Sequence, residues 1–287
     1  MNEIRRVTVI GAGTMGHGIA QVCAMAGAST VLHDPEEGAL EAALERIRGN
    51  LEKAVGLGKT TEDELHRTLN RLQMGHDLVR SVADADLVIE AAPESVELKH
   101  TIFADVDAAA PDHAILASNT SSLSIDRIAD AVDDPGRVVG LHFFNPVHVM
   151  KLVEVVWGPR TDEATRDAAI AFVGRLGKEP VVVKDSPGFA SSRLGIVLGM
   201  EAIRMVEEGV ATAEDIDKAM ELGYRHPMGP LRLTDLVGLD VRLGIAEYLH
   251  ETLGSEAFRP PELLRRMVAA GKLGRKSGAG FYDWSDT

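Results

Sequence analysis

The sequence predicts two domains of different class. An α/β amino-terminal domain built on a mostly parallel sheet is followed by an all-α carboxy-terminal domain. Three observations predict this. Strand and helix patterns alternate from residue 5 to about 185. Within that stretch, Gly11-Ala12-Gly13-Thr14-Met15-Gly16 stands between a β-branched run and a helical run. After Asp185-Ser186-Pro187-Gly188 no convincing strand appears, and apolar residues recur at helical spacing through Ile196, Leu198, Met200, Ile203 and Met205. The boundary is therefore expected near residue 185, with domains at 1–185 and 186–287.

The first element is the strand Arg5–Ile10 and the second is the helix through HGIAQVCAMAGA. Ser29–Asp34 is a second strand ending in an acid. Strand, glycine turn, helix, strand and acid form the dinucleotide-binding arrangement of a Rossmann-type domain. Gly11 permits the tight turn, Gly13 lets a pyrophosphate approach the backbone, and Gly16 lets the helix pack closely on the strand. The turn as a whole, Thr14 and Met15 included, offers N–H groups at a helix N-terminus to an anion. Asp34 is placed to accept ribose hydroxyls and would repel a 2′-phosphate, so NAD is expected rather than NADP. Arg5-Arg6 before an apolar stretch also has the look of a secretory signal. Three motif glycines and His17 interrupt it, and the folded reading uses every residue.

Residues 36–75 depart from a simple crossover. Two helical patterns, Glu36–Val55 and Glu62–Leu72, flank the breaker Gly56–Thr61, which predicts an inserted helical hairpin. Arg46, Arg48, Lys53 and Lys59 give its middle a basic bias, either as a solvated face or as an arm that meets phosphates. Alternation then resumes with strands Asp86–Ala92, Ala114–Ala117, Arg137–Phe144, Leu152–Val156 and Pro180–Lys184. Helices are expected at Val96–Ala109, Ser124–Ile128 and Asp162–Leu176. Ligands of such sheets bind beyond the carboxyl ends of the strands, where the cluster Ser118-Asn119-Thr120-Ser121-Ser122 and Asn145-Pro146 fall. In the second domain Thr212 caps a helix through Leu222, and helices resume from Leu231.

Composition narrows the function. The chain of 287 residues is long enough for two cores, and its net charge of −14 argues against nucleic-acid and anionic-membrane partners. No stretch reaches membrane-spanning length without charge or proline, so a cytoplasmic protein is expected. The single cysteine, Cys23, lies in an apolar helix and reads as a core residue, and no metal site is indicated.

Two polar residues interrupt apolar strands: His142 in VVGLHFF and Glu154 in LVEVV. Each is costly to bury alone, so the economical arrangement is that they meet. A carboxylate on one ring nitrogen fixes the tautomer and leaves the other as a base, which is what oxidation of a hydroxyl by a nicotinamide requires. A satisfied structural pair is the competing explanation, and the nearby nicotinamide site favours catalysis. Ser121 and Asn145 can donate to a substrate oxygen or serve turn geometry. Ser118, Asn119 and Thr120 read as turn residues or cofactor contacts.

GAGTMGHGIA, EAAPESVELK, SNTSSLSI, HFFNPV, LVEVV, KDSPGF and the closing GRKSGAGFYDW, in this order and spacing, resemble the short-chain L-3-hydroxyacyl-CoA dehydrogenases, closest to the bacterial 3-hydroxybutyryl-CoA group. The resemblance covers essentially the whole chain. It implies NAD-linked interconversion of 3-hydroxyacyl-CoA and 3-oxoacyl-CoA by a His142–Glu154 dyad, with Ser121 and Asn145 near substrate. It implies that Asp34, Glu94 and Lys99 line the cofactor site, and that the hairpin, Lys53 included, meets coenzyme A. It also implies a homodimer through the helical domain. One position departs: Ser192 stands where the family commonly shows a substrate-contacting Asn before Arg193. Two rivals keep the scaffold and change the role: a dehydrogenase of free hydroxy or sugar acids, and a nucleotide-binding protein without turnover.

Overall fold

The computed structural model describes residues 3–36 and 38–285. The chain divides into two compact units, Met1–Ser186 and Pro187–Thr287.

In the first unit the apolar, β-branched run Arg6–Ile10 forms β1, and helix α1, Gly16–Met25, leads to β2, Ser29–His33. The hairpin follows as α2, Ala39–Gly56, and α3, Glu62–Asn70. Thr61 starts α3 by accepting from the backbone of Glu64, and three acids occupy its first turn, which suits the helix dipole. Ile47, Leu51 and Leu65 give the hairpin a small core of its own. The hairpin is shorter than its predicted span, because Leu72–Gly75 forms an edge strand, β3, beside β2. Helix α4, Leu78–Val82, then leads to β4, Leu87–Glu90. Next come α5, Val96–Ala109, β5, Ile115–Ser118, and α6, Ile125–Ile128. The unit ends with β6, Val138–Phe143, β7, Leu152–Trp157, α7, Glu163–Arg175, and β8, Glu179–Lys184.

The eight strands form one sheet in the order β3-β2-β1-β4-β5-β6-β7-β8. All neighbours are parallel except β6 and β7. The chain winds outward from β1 in one direction and returns to β4 on its other side. The crevice at this switch is where doubly wound sheets hold ligands. The central strands are buried along their whole length, as a sheet covered on both faces requires. Their side chains join Ile19, Ala20 and Cys23 of α1 and Phe172 and Val173 of α7 in one core. Cys23 is fully buried, and burial pushes its thiol up to about 12, so it is a packing residue.

The second unit is helical: α8, Ser191–Glu207, α9, Ala213–Tyr224, α10, Pro230–Val237, α11, Leu239–Leu253, and α12, Glu262–Ala269. Thr212 caps α9 by accepting from Asp215, and Ile196, Met200, Ile203, Leu231, Leu239, Leu249 and Leu264 fill the core. Two buried carboxylates tie the closing motif to it. Asp235 accepts from the backbone of Phe281 and Tyr282 and from the Trp284 indole, each at 2.9 Å. Asp217 accepts from Leu231 and Arg232 N–H and from the Tyr282 hydroxyl. Among the described residues no helix is long and apolar enough to cross a membrane.

Candidate active site

The candidate residues of the first unit gather on one edge of the sheet. Gly11 follows β1, Asp34 follows β2, Glu90 ends β4, Ser118–Ser122 follow β5, and His142–Asn145 end β6. Because β7 runs against β6, its first residues, Glu154 among them, lie at the same edge.

The glycine turn is held by contact. Gly11 has a φ of +97°, and a Cβ there would lie 2.7 Å from the Ala91 carbonyl oxygen across the crevice. A Cβ on Gly16 would lie 1.6 Å from the Gly11 oxygen, so no side chain fits between strand and helix. Gly13 differs: its missing Cβ faces open space. Met15 gives α1 no side-chain cap, and the first turn carries no acid, which leaves the helix N-terminus open to an anion. Asp34 sits beside the turn, its Oδ2 accepting from Ala12 N–H at 2.7 Å and its Oδ1 from Glu36 N–H at 2.9 Å. A carboxylate has further lone pairs, so these bonds fix its direction without exhausting it. An open phosphate cradle beside an anchored acid fits a dinucleotide.

Lys99 is fully buried and gives its ammonium to Glu90 at 2.6 Å and to the Ala92 carbonyl at 3.4 Å. Glu90, also buried, accepts from Ala92 N–H and from the Ser118 hydroxyl, each at 2.6 Å. Glu90 therefore joins the turn after β4 to the turn after β5. Glu94 continues the network. Its Oε1 accepts from the hydroxyls of Thr120, Ser121 and Ser122 at 2.5, 3.4 and 3.2 Å and from Ser121 N–H at 3.1 Å. Lys99 lies 3.5 Å from the other oxygen of Glu94. Asn119 accepts from Phe143 N–H at 2.8 Å, which locks the end of β5 to the end of β6. Glu90 was not singled out from sequence, although an acid ending the apolar strand LVIE is the signal that picked out Glu154.

His142 and Glu154 are direct partners across the antiparallel β6–β7 pair. The ring Nδ1 donates to Glu154 Oε2 at 2.7 Å, and both residues are buried. A neutral ring so bonded holds its lone pair on Nε2. The Phe144 ring packs on the imidazole at a centroid distance of 4.4 Å. Asn145 lies exposed in the loop after β6, joined to Pro146 by a cis peptide. Ser192 belongs to the second unit, in the first turn of α8.

The hairpin contributes positive charge. Arg46 of α2 donates to the Ala12 carbonyl in the glycine turn, and Lys53 lies exposed two turns further along the same helix. Burial and the charge of Arg46 hold His17 below the usual imidazole range, against a hydrogen bond to Gly13 that raises it. Burial, then His17, Lys178 and Lys53, do the same to His148.

Residues 6–186 match the 3-hydroxyacyl-CoA dehydrogenase, NAD binding domain, and residues 188–284 match the 3-hydroxyacyl-CoA dehydrogenase, C-terminal domain. The chain is 47% identical over 284 residues to a probable 3-hydroxybutyryl-CoA dehydrogenase of Bacillus subtilis, with 99% of each chain covered. The crystal structure of FadB2 of M. tuberculosis superimposes with a TM-score of 0.95 at 48% identity, covering 98% of this chain and 99% of that one. The crystal structure of (S)-3-hydroxybutyryl-CoA dehydrogenase from Ralstonia eutropha gives a TM-score of 0.95 at 41% identity, covering 99% and 100%. The glycine turn, the anchored acid and these matches over the whole length lead to one conclusion: the chain belongs to the 3-hydroxyacyl-CoA dehydrogenase family of NAD-dependent oxidoreductases.

Proposed function

We propose that the chain interconverts (S)-3-hydroxyacyl-CoA and 3-oxoacyl-CoA, with 3-hydroxybutyryl-CoA among its substrates, and that His142 and Glu154 are its acid–base dyad. The observation that carries this is the buried 2.7 Å bond between His142 Nδ1 and Glu154 Oε2 at the edge that also bears the glycine turn. The names of the relatives in Bacillus subtilis and Ralstonia eutropha support the substrate.

In the oxidative direction His142 Nε2 takes the proton of the substrate hydroxyl, and Glu154 stabilises the imidazolium that results. Bound NAD supplies the hydride acceptor. In reverse the imidazolium returns the proton to the 3-oxo oxygen. Ser121, oriented by Glu94, and Asn145 contact the substrate oxygen, and Asp34 holds the adenosine ribose. Glu94, Lys99 and Asn119 shape the cofactor side of the crevice from beneath. The Arg46–Lys53 face of α2, with His17 and His148, meets the phosphates of coenzyme A. Arginine and lysine suit that task in a protein that is otherwise acidic.

We also assign a homodimer to the helical unit, whose Leu194, Val210, Leu222 and Tyr224 are each at least 60% exposed. A mass measurement by light scattering that finds monomer alone at micromolar concentration would remove it.

The assay is loss of NADH absorbance with acetoacetyl-CoA. Turnover is expected from the native chain. No turnover with any 3-oxoacyl-CoA would overturn the proposal. Free 3-oxo acids turning over as fast as their thioesters would assign it to a different substrate class.

A further inference from the structure

Lys178, between α7 and β8, is 8% exposed. It lies at the same edge of the sheet as His142, because β8 runs parallel to β7 and starts where β7 starts. A lysine is seldom buried without a carboxylate to meet it. Here burial holds the ammonium below the usual lysine range, and the Cys23 thiol, not a carboxylate, opposes this. Nζ donates instead to two main-chain carbonyls, those of Val147 and Met150, each at 2.6 Å.

Both carbonyls belong to the turn that joins β6 to β7. The Pro146 carbonyl accepts from Val149 and Met150 N–H at 2.9 and 3.0 Å, which closes the turn on itself. Val147 anchors it from below. Its side chain is buried in the core of the sheet, and a Cβ on Gly18 of α1 would lie 2.8 Å from the Val147 Cβ. That close approach exists because residue 18 has no side chain. A turn lies outside the strand ladder, so its buried carbonyls need donors from elsewhere. Lys178 supplies both donors from one atom.

Asn145 stands immediately before this turn and is exposed. Its place therefore depends on the turn, whereas that of His142 and Glu154 is set by the pairing of β6 with β7. We infer that Lys178 is a positioning residue for the substrate: by gathering the Val147 and Met150 carbonyls it holds the turn so that Asn145 reaches the substrate oxygen. The inference rests on the proposed function, in which Asn145 contacts that oxygen. In this role Lys178 acts through Asn145 alone and leaves proton transfer to the dyad.

The experiment is a double-mutant cycle on Lys178→Met and Asn145→Ala. Its readouts are NADH oxidation by acetoacetyl-CoA and NADH fluorescence titration. Lys178→Met removes both donors, and kcat/KM for acetoacetyl-CoA is expected to fall about 10–100-fold, the scale of a misplaced contact. NADH affinity and the shape of the pH profile of kcat/KM are expected to stay as in the native chain, because the glycine turn and the dyad are untouched. Lys178→Arg, whose guanidinium can donate to two carbonyls, recovers part of the loss. In the Asn145→Ala background Lys178→Met lowers kcat/KM little further.

Losses that multiply in the double variant overturn the inference. So does an NADH affinity that falls along with kcat/KM, which would make Lys178 a support of the sheet as a whole. Unchanged kcat/KM in Lys178→Met, or in Asn145→Ala, overturns it too. Where Lys178→Met lacks the native far-UV spectrum, the cycle is run with Lys178→Gln, whose shorter amide cannot span both carbonyls, and is read in the same way. If the native chain turns over no 3-oxoacyl-CoA, the proposed function has failed and the inference falls with it, an outcome distinct from the others.

Discussion

His142 and Glu154 occupy paired positions of the one antiparallel ladder in the sheet, and the ring and the carboxylate are 2.7 Å apart. The register of β6 against β7 places them there, twelve residues apart in sequence. Conversion of His142 to Gln should lower kcat by about 10²–10⁴-fold while NADH still binds, as general acid–base catalysis of this kind contributes. Glu154→Gln keeps the shape and loses the charge, so kcat should fall there as well. Stopped-flow turnover and NADH fluorescence titration separate the two effects. Full turnover in the His142 variant would end the acid–base assignment.

Gly13 and Gly16 make a contrasting pair. A methyl group on Gly16 would lie 1.6 Å from the Gly11 oxygen, so Gly16→Ala should lower stability by well over about 1 kcal/mol. A methyl group on Gly13 meets nothing within 4 Å. Gly13→Ala should therefore keep its melting temperature and lose NADH affinity, because a pyrophosphate laid on the turn would meet the added methyl group. Equal NADH affinity in Gly13→Ala and the native chain would remove the pyrophosphate from that position.

Glu90→Gln leaves the Lys99 ammonium buried with its best partner neutralised. Removing one member of a buried ion pair costs about 3–5 kcal/mol, and denaturant unfolding should register a loss of that order. Glu90→Gln combined with Lys99→Met should recover part of it, since no unpaired charge is then buried. If the double variant is no more stable than Glu90→Gln alone, the ammonium is not the source of the penalty.

Asp86 caps the start of the sheet. Burial raises its carboxyl, but the side chain of Arg6 and the backbone N–H groups of Arg5 and Arg6 outweigh this and hold it well below the usual carboxylate range. A depressed native pKa contributes stability that is complete above the unfolded value and is lost as pH falls through the native one. The native chain should thus lose stability on acidification below about pH 4. Asp86→Asn should be less stable at neutral pH and show a flatter acid limb in urea titrations between pH 5 and pH 3. Parallel acid limbs in the two proteins would exclude Asp86 as a source of acid sensitivity.

What could be read from the sequence follows a physical rule. The glycine turn, the dyad strands and the Thr212 cap each announce themselves locally, by a conformational demand or by a polar residue where an apolar one belongs. The strand Leu72–Gly75 does not. Its LQMG has no alternation, it pairs on one side only, and at the sheet edge no buried face imposes a pattern on it. Glu90 escaped for a different reason. It stands at the end of its strand, where an acid also suits a solvated turn, and its partner Lys99 lies on helix α5, where a lysine is ordinarily solvated. Asp217 and Asp235 carry no local signal either: Asp217 receives the N–H groups of Leu231 and Arg232, at the start of the next helix, and the Tyr282 hydroxyl, and Asp235 receives groups of the closing motif, far along the chain.

The reversal of direction between β6 and β7 has a consequence for how the enzyme fails. The ring and the carboxylate are set opposite each other by main-chain pairing, so their approach is inherited from the register of the sheet. Turnover on heating should therefore persist until this ladder opens, and activity lost well below the far-UV melting transition would show that another part of the site gives way first.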